Sequence, residues 1–168
     1  MTRKDTLVAA ILILCVAISL YLHYRGDREP ATPEEALRAV LARVDGQIAL
    51  EKLPLEHAIK QVRGNGEPIL VSFEDPNCTY CVQLNKRLKF LDNLTLYTFL
   101  TPVLSEDSVA KSRRIWCASD PATAWNDWML ARRLPSGAGD CDTTALDRNL
   151  ELGEIMGIRG VPYLLRAK

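Results

Sequence analysis

The longest uncharged apolar run of the chain comes first: residues 7–22 carry no charge, with Arg3-Lys4-Asp5 before them and Arg25 after. At about 1.5 Å of helical rise per residue the run alone is short for a hydrocarbon core about 30 Å thick, and Thr6, His23 and Tyr24 extend it to a span. Tyr21 and Tyr24 fall where an interfacial aromatic belt would sit. A cleaved secretory signal is the rival reading, with Ala17-Ile18-Ser19 as a small-x-small site, but that site lies inside the apolar run. The pattern therefore predicts an uncleaved anchor, a transmembrane helix within 1–24, with Cys15 as a small apolar residue in lipid.

Beyond it, apolar positions come in short amphipathic groups. Residues 26–31 are charged and contain Pro30, as a tether would. Thr32-Pro33-Glu34-Glu35 has the form of a capping box with proline at the first helical position. Leu37, Val40, Leu41 and Val44 place one apolar stripe on the helix that follows, and Gly46 is its stop. Residues 55–62 show a second short helical pattern, closed by Gly64-Asn65-Gly66; His57 within it reads as a solvated surface histidine. Residues 69–73 form a buried-type strand, 78–91 an amphipathic helix and 94–100 a second strand rich in Leu, Thr, Tyr and Phe. Strand, helix and strand at this spacing make a right-handed crossover with a parallel pair, which leaves Cys78 exposed at the top edge of the helix.

Ser105 and Asp120-Pro121 start two further helices. The first runs to about Cys117; the second carries Trp125 and Trp128 on one face, read as core. Residues 134–140, with Pro135, Gly137 and Gly139, are a loop. Asp142 caps a last helix that reaches Met156, Gly157 ends it, and 163–165 is a final strand. The fold class is α/β, and the chain divides into an anchor (1–24), a tether with short helices (25–66) and a folded domain (67–168).

Composition narrows the function. With the apolar segment subtracted, a chain of 168 residues leaves room for one domain of ordinary size. Lys plus Arg equals Asp plus Glu at 21 each, so neither a nucleic acid nor a basic partner is indicated. Arg3 and Lys4 are balanced by Arg25 and Arg28 and set no orientation. Four cysteines, Cys78, Cys81, Cys117 and Cys141, lie in the folded part, an even number that suits an oxidising compartment. The domain is therefore expected outside the cytoplasm, with the N-terminus inside.

Cys78-Thr79-Tyr80-Cys81 carries the chemistry. Two thiols one helical turn apart, where a strand gives way to a helix, can alternate between dithiol and disulfide. The thiolate is the attacking species, and at the first helical turn unpaired N–H groups and the helix dipole stabilise it at Cys78. Cys81, one turn further in, is more buried and attacks the mixed disulfide formed at Cys78. Asp75-Pro76-Asn77 fixes the turn before the pair. The motif also begins many zinc sites, and Cys78, Cys81, Cys117 and Cys141 could make a four-cysteine set, but a second C-x-x-C is missing. A structural disulfide between Cys117 and Cys141 is the simpler reading, stabilising by roughly 3 kcal/mol on the chain-entropy model. Glu74 and Asp75 could relay the proton of Cys81 or could be solvated loop residues, while Ser72 holds the strand position from which a buried acid would most naturally reach the thiols.

These stretches resemble the catalytic domain of the bacterial periplasmic disulfide isomerases, the DsbC and DsbG family. The likeness covers about 69–168 and rests on four motifs in order: 73–81 with the two cysteines, 115–125 with Trp116, Cys117 and Trp125, the isolated Cys141-Asp142, and Gly160-Val161-Pro162-Tyr163. It implies a thioredoxin-like fold with a helical insertion. It further implies that Cys78 is the nucleophile, Cys81 the resolving thiol, Cys117 with Cys141 a structural disulfide, and Val161-Pro162 a cis-proline loop facing Cys78 and offering its backbone to an extended substrate.

Three features depart from the family. Only about 40 residues separate the apolar segment from the first strand, where the family has a dimerisation domain. Val161 replaces the usual Thr. The chain reaches Lys168 just after the strand that follows Pro162, so the last strand and helix are expected to be missing and a sheet edge uncovered unless the helix at 33–44 covers it. The expected function is a single-pass protein of the bacterial inner membrane whose periplasmic domain reduces or isomerises disulfides in misoxidised exported proteins, with a membrane reductase as electron donor and no cofactor. Thr79-Tyr80 lacks the proline of strongly reducing pairs, which favours an isomerase-like poise. The alternatives are a non-catalytic chaperone or assembly factor, and a metal-binding dithiol.

Overall fold

Unbroken burial of residues 70–74, covered on both faces, sets the architecture. In the computed structural model, which describes residues 3–27 and 30–168, strand β3 (Ile69–Glu74) points Leu70, Ser72 and Glu74 to one face and Val71 and Phe73 to the other, as strand geometry requires. It lies at the centre of a five-stranded sheet with β1 (Gly46–Ile48), β2 (Ile59–Arg63), β4 (Leu94–Leu100) and β5 (Tyr163–Ala167). The strand order is β1-β5-β3-β4-β2. The pair β3 and β4 is parallel, joined by the crossover helix α3, while β5 runs antiparallel to β3 and β2 antiparallel to β4.

The helices are α1 (Arg3–Asp27), α2 (Pro33–Leu41), α3 (Thr79–Leu88), α4 (Glu106–Trp116), α5 (Pro121–Ala131) and α6 (Thr144–Ile155). Local chemistry starts several of them. Thr32 accepts from the Glu35 N–H while Glu35 accepts from the Ala31 N–H, a reciprocal cap. The Ser105 and Asp120 side chains cap α4 and α5 by accepting from the Ser108 and Thr123 N–H groups.

On one face of the sheet, Leu70, Leu96 and Leu164 pack with Leu84 and Leu88 of α3 and with Ala36 and Val40 of α2, all essentially buried. On the other, Phe73 stacks on Phe99 at 5.0 Å and Val71 and Leu165 pack with Leu53. A third cluster joins Cys78 and Cys81 to Leu100, Ile115, Trp125 and Met129 beneath α4 and α5.

The structure departs from the sequence reading in several places. Residues 55–62 are not helical: a 3-10 turn, Leu55–His57, leads into β2, whose pairing with β4 is a long-range contact that no local period displays. Gly46 does not stop a helix but opens β1, which pairs parallel with β5 through Gly46↔Leu165, Gln47↔Arg166 and Ile48↔Ala167. The edge expected to be bare beside β5 is therefore occupied, and α2 covers the adjoining face. By its contacts Ala31–Lys168 forms one compact unit, which includes α2 and β1.

The sequence reading also expected a transmembrane anchor within 1–24. Among the described residues no helix is long and apolar enough to cross a membrane. Arg28, weighed above for orientation, lies outside the described residues.

Candidate active site

Asp75 shapes the loop that delivers the first thiol. It is wholly buried, and its carboxylate accepts from the Asn77 N–H at 2.7 Å, the Ser108 hydroxyl at 2.9 Å and the Leu104 N–H at 3.0 Å. The Cys78 N–H closes the turn on the Asp75 carbonyl at 3.1 Å. From the other side, the Trp128 indole N–H donates to the Pro76 carbonyl at 2.7 Å, and the ring lies between Lys111 and Arg132. Lys111 also donates to the Asn77 side chain at 2.8 Å. Asp75 is thus committed to holding the loop and is not the solvated residue that the sequence allowed.

Cys78 is the N-cap of α3, and its sulfur accepts from the Cys81 N–H at 3.1 Å. The hydrogen bond from the Cys81 thiol, aided by the Cys81 and Tyr80 N–H groups, brings the Cys78 thiol down to about 7 from its usual 9.0, against the opposing effects of burial and the Asp75 charge. Burial pushes Cys81 strongly upward, and the hydrogen bond with Cys78 and the nearby Glu74 push in the same direction. The two sulfurs therefore differ in kind at neutral pH, one substantially a thiolate and the other held as a thiol.

The peptide bond Val161–Pro162 is cis, and the Cys78 thiol lies 3.4 Å from the Val161 carbonyl oxygen. Because this turn lies over it, Cys78 is only 4% exposed rather than open at the helix edge as the sequence suggested. A second cis bond, Glu67–Pro68, precedes β3 and had no sequence signal beyond the proline itself.

Glu74 is completely buried on the α3 side of β3. Ser72 donates to it at 2.7 Å and the Asn85 amide at 2.5 Å. Loss of hydration raises its carboxyl to about 8; the Ser72 and Asn85 hydrogen bonds oppose the shift and the neighbouring Cys78 adds to it. Glu74 is therefore largely protonated at neutral pH, so a protonatable carboxyl lies beside the cysteine pair. Sequence reasoning placed the natural site for an acid at Ser72; the structure puts Ser72 in the role of its hydrogen-bond donor, two residues away on the same strand face. Asn85 was missed, although its spacing of four from Cys81 places both on one side of α3.

Cys117 and Cys141 are joined by a disulfide that closes a separation of 24 residues. With both sulfurs in that bond, the four-cysteine zinc set does not form. Among the described residues no group of three or more His, Cys, Asp or Glu side chains is arranged to hold a metal ion. His57 is half-buried rather than solvated, with its carbonyl accepting from Asn149.

The thioredoxin-like domain family matches residues 55–168. The chain is 50% identical over 117 residues to a probable thiol:disulfide interchange protein DsbC of Bordetella pertussis, covering 70% of this chain and 41% of that protein. It is 41% identical over 136 residues to the protein of the same name in Bordetella avium, covering 81% and 48%. The chain thus spans less than half the length of these relatives. Among solved structures, a disulfide interchange protein from Neisseria gonorrhoeae superposes with a TM-score of 0.63 at 37% identity, covering 67% of this chain and 81% of that one.

Proposed function

The chain belongs to the family of thioredoxin-like domains, and from that premise we propose that it is a thiol–disulfide oxidoreductase that reduces or isomerises disulfides of exported proteins in the bacterial periplasm. The observation that carries the reading is the Cys78 sulfur, capping α3 and receiving the Cys81 N–H at 3.1 Å, directly beneath the Val161 carbonyl.

In the proposed reaction the Cys78 thiolate attacks one sulfur of a client disulfide. The client S–S bond breaks, the Cys78–client bond forms, and the second client sulfur leaves as a thiolate. In isomerisation a client thiolate then attacks the mixed disulfide and returns Cys78. In reduction Cys81 attacks Cys78, the client leaves as a thiol, and the pair holds the oxidised S–S bond. The proton of Cys81 has a nearby acceptor in Glu74 once that carboxyl is ionised, so Glu74 is proposed as the relay and Asp75 as the loop anchor. Two electrons must then come from a reductant outside the chain, for which a membrane reductase is proposed.

The test is trapping. Reduced C81A protein incubated with scrambled client should accumulate mixed disulfides on Cys78, resolved by dithiothreitol and seen by mass, and C78A protein should form none. Absence of adducts in the C81A protein would overturn the reading.

A further inference from the structure

Next to the Val161-Pro162 turn, a cavity of about 320 Å³ opens over Tyr80, Leu84 and Leu164, with Arg43 and Asp45 also lining it. Its base is apolar: Leu84 and Leu164 are each 1% exposed, while Tyr80 stands 64% exposed between the two cysteines. Two of its lining residues come from the segment between α2 and β1, outside the 55–168 match to the family.

Asp45 fixes that segment in place. Its N–H donates to the Leu164 carbonyl at 2.7 Å and its carboxylate accepts from the Leu164 N–H at 2.8 Å, which clamps the turn to the start of β5, two residues from Pro162. The Asp45 carboxylate is held by the backbone. Arg43, two residues earlier, is exposed and has no ion-pair partner among the described residues. A cation free to swing at the lip of an apolar hollow, beside the Val161 turn that faces the reactive thiol, suits an anionic side chain.

Val161 lines the same cavity, and its carbonyl faces Cys78. An extended segment laid along Val161 would turn alternate side chains to opposite faces, so those close to the reacting cysteine on one face enter the hollow. We propose that this cavity is a client-selecting subsite in which Arg43 pairs with a Glu or Asp side chain within two or three positions of the client cysteine, while an apolar neighbour rests on Leu84 and Leu164. Arg43 moves no electron or proton; it raises the occupancy of productive complexes. The inference rests on the exchange reaction proposed for Cys78.

The experiment uses the full chain and two peptides bearing the same disulfide, one with Glu and one with Lys two residues from the cysteine. Wild-type protein should favour the Glu peptide about two- to fivefold in kcat/KM, as one exposed charge pair allows. R43Q should abolish the preference and R43E reverse it. Each variant is compared only with itself across the two peptides, so a general loss of activity cancels. Equal ratios in wild type and R43E would overturn the subsite while leaving the exchange function intact. Hydroxyethyl disulfide, which carries no charge, is the separate probe: failure of the wild-type protein to reduce it would instead overturn the function.

Discussion

Asn85 ties Glu74 to the second cysteine: its side-chain amide donates to the Glu74 carboxylate at 2.5 Å and to the Cys81 carbonyl at 2.9 Å. An acid on the sheet and a thiol on the helix are thereby held by one side chain, and the acid is kept from water. Burial on this scale gives the carboxyl a different affinity for its proton in the folded and unfolded states.

Glu74→Gln should stabilise the protein, and by more as pH rises. Burial pushes the Glu74 carboxyl up to about 8 in the folded protein, against an ordinary 4.5 when hydrated. Between those values the folded state holds a proton that the unfolded state has released, so stability falls with rising pH and levels off above about 8. The glutamine variant lacks that loss. Urea titrations from pH 5 to 9 should show the gap between the two proteins widening toward a ceiling of about 5 kcal/mol, and a pH-independent gap would contradict an acid buried in its neutral form. The same variant should slow release of trapped client by Cys81 if the relay is correct, measured as decay of the mixed disulfide.

Reduced protein should alkylate at a single active-site sulfur. Cys78 titrates near 7 while Cys81 is pushed far upward. The rate of iodoacetamide labelling at Cys78 should therefore climb through a midpoint near pH 7, with no label at Cys81 until the protein unfolds. Peptide mapping by mass spectrometry separates the two sites, and labelling of Cys81 in folded protein would remove the basis for assigning them different roles.

Trp128→Phe should loosen the loop before Cys78. The ring remains to stack with Lys111 and Arg132, but the N–H that donates to Pro76 at 2.7 Å is lost. The expected loss is about 1 kcal/mol in urea unfolding. The Cys78 labelling midpoint should move upward, since the N–H groups that hold the thiolate depend on that turn.

What the sequence disclosed follows from the range of each interaction. Strand β4 coincides with the expected 94–100, and α4 and α5 begin beside Ser105 and Asp120, because caps and apolar runs are local signals. Cys78 and Cys81 stood out for the same reason. The burial of Glu74 did not, since only the arrival of α3 over that face decides whether a carboxyl at the end of β3 meets water or Asn85. Residues 59–63 were misread because Ile59 and Val62, three apart, fit a helical stripe as well as a strand, and only the ladder with β4 decides between them. Arg43 carried no signal at all, since its place beside Pro162 depends on Asp45 bonding to Leu164, 119 residues away.

Val40→Asp tests how far the folded unit extends. Val40 is fully buried among Leu70, Leu84, Leu88 and Leu164, so a carboxylate there must either be hydrated by detaching α2 or be neutralised inside an apolar cluster. Leu84 and Leu88 belong to the helix that begins beside Cys78, so detachment of α2 exposes the same helix that positions the thiol. If Ala31–Lys168 unfolds as one unit, the substitution should lower the midpoint of the whole transition and shift Cys78 reactivity with it. Stability should fall by several kcal/mol, as for other unpaired charges placed in a core. Were α2 a mere tether, Cys78 would keep its labelling midpoint and the main transition would not move. Thermal unfolding followed by near-ultraviolet dichroism, with labelling of Cys78 in parallel, distinguishes the two outcomes.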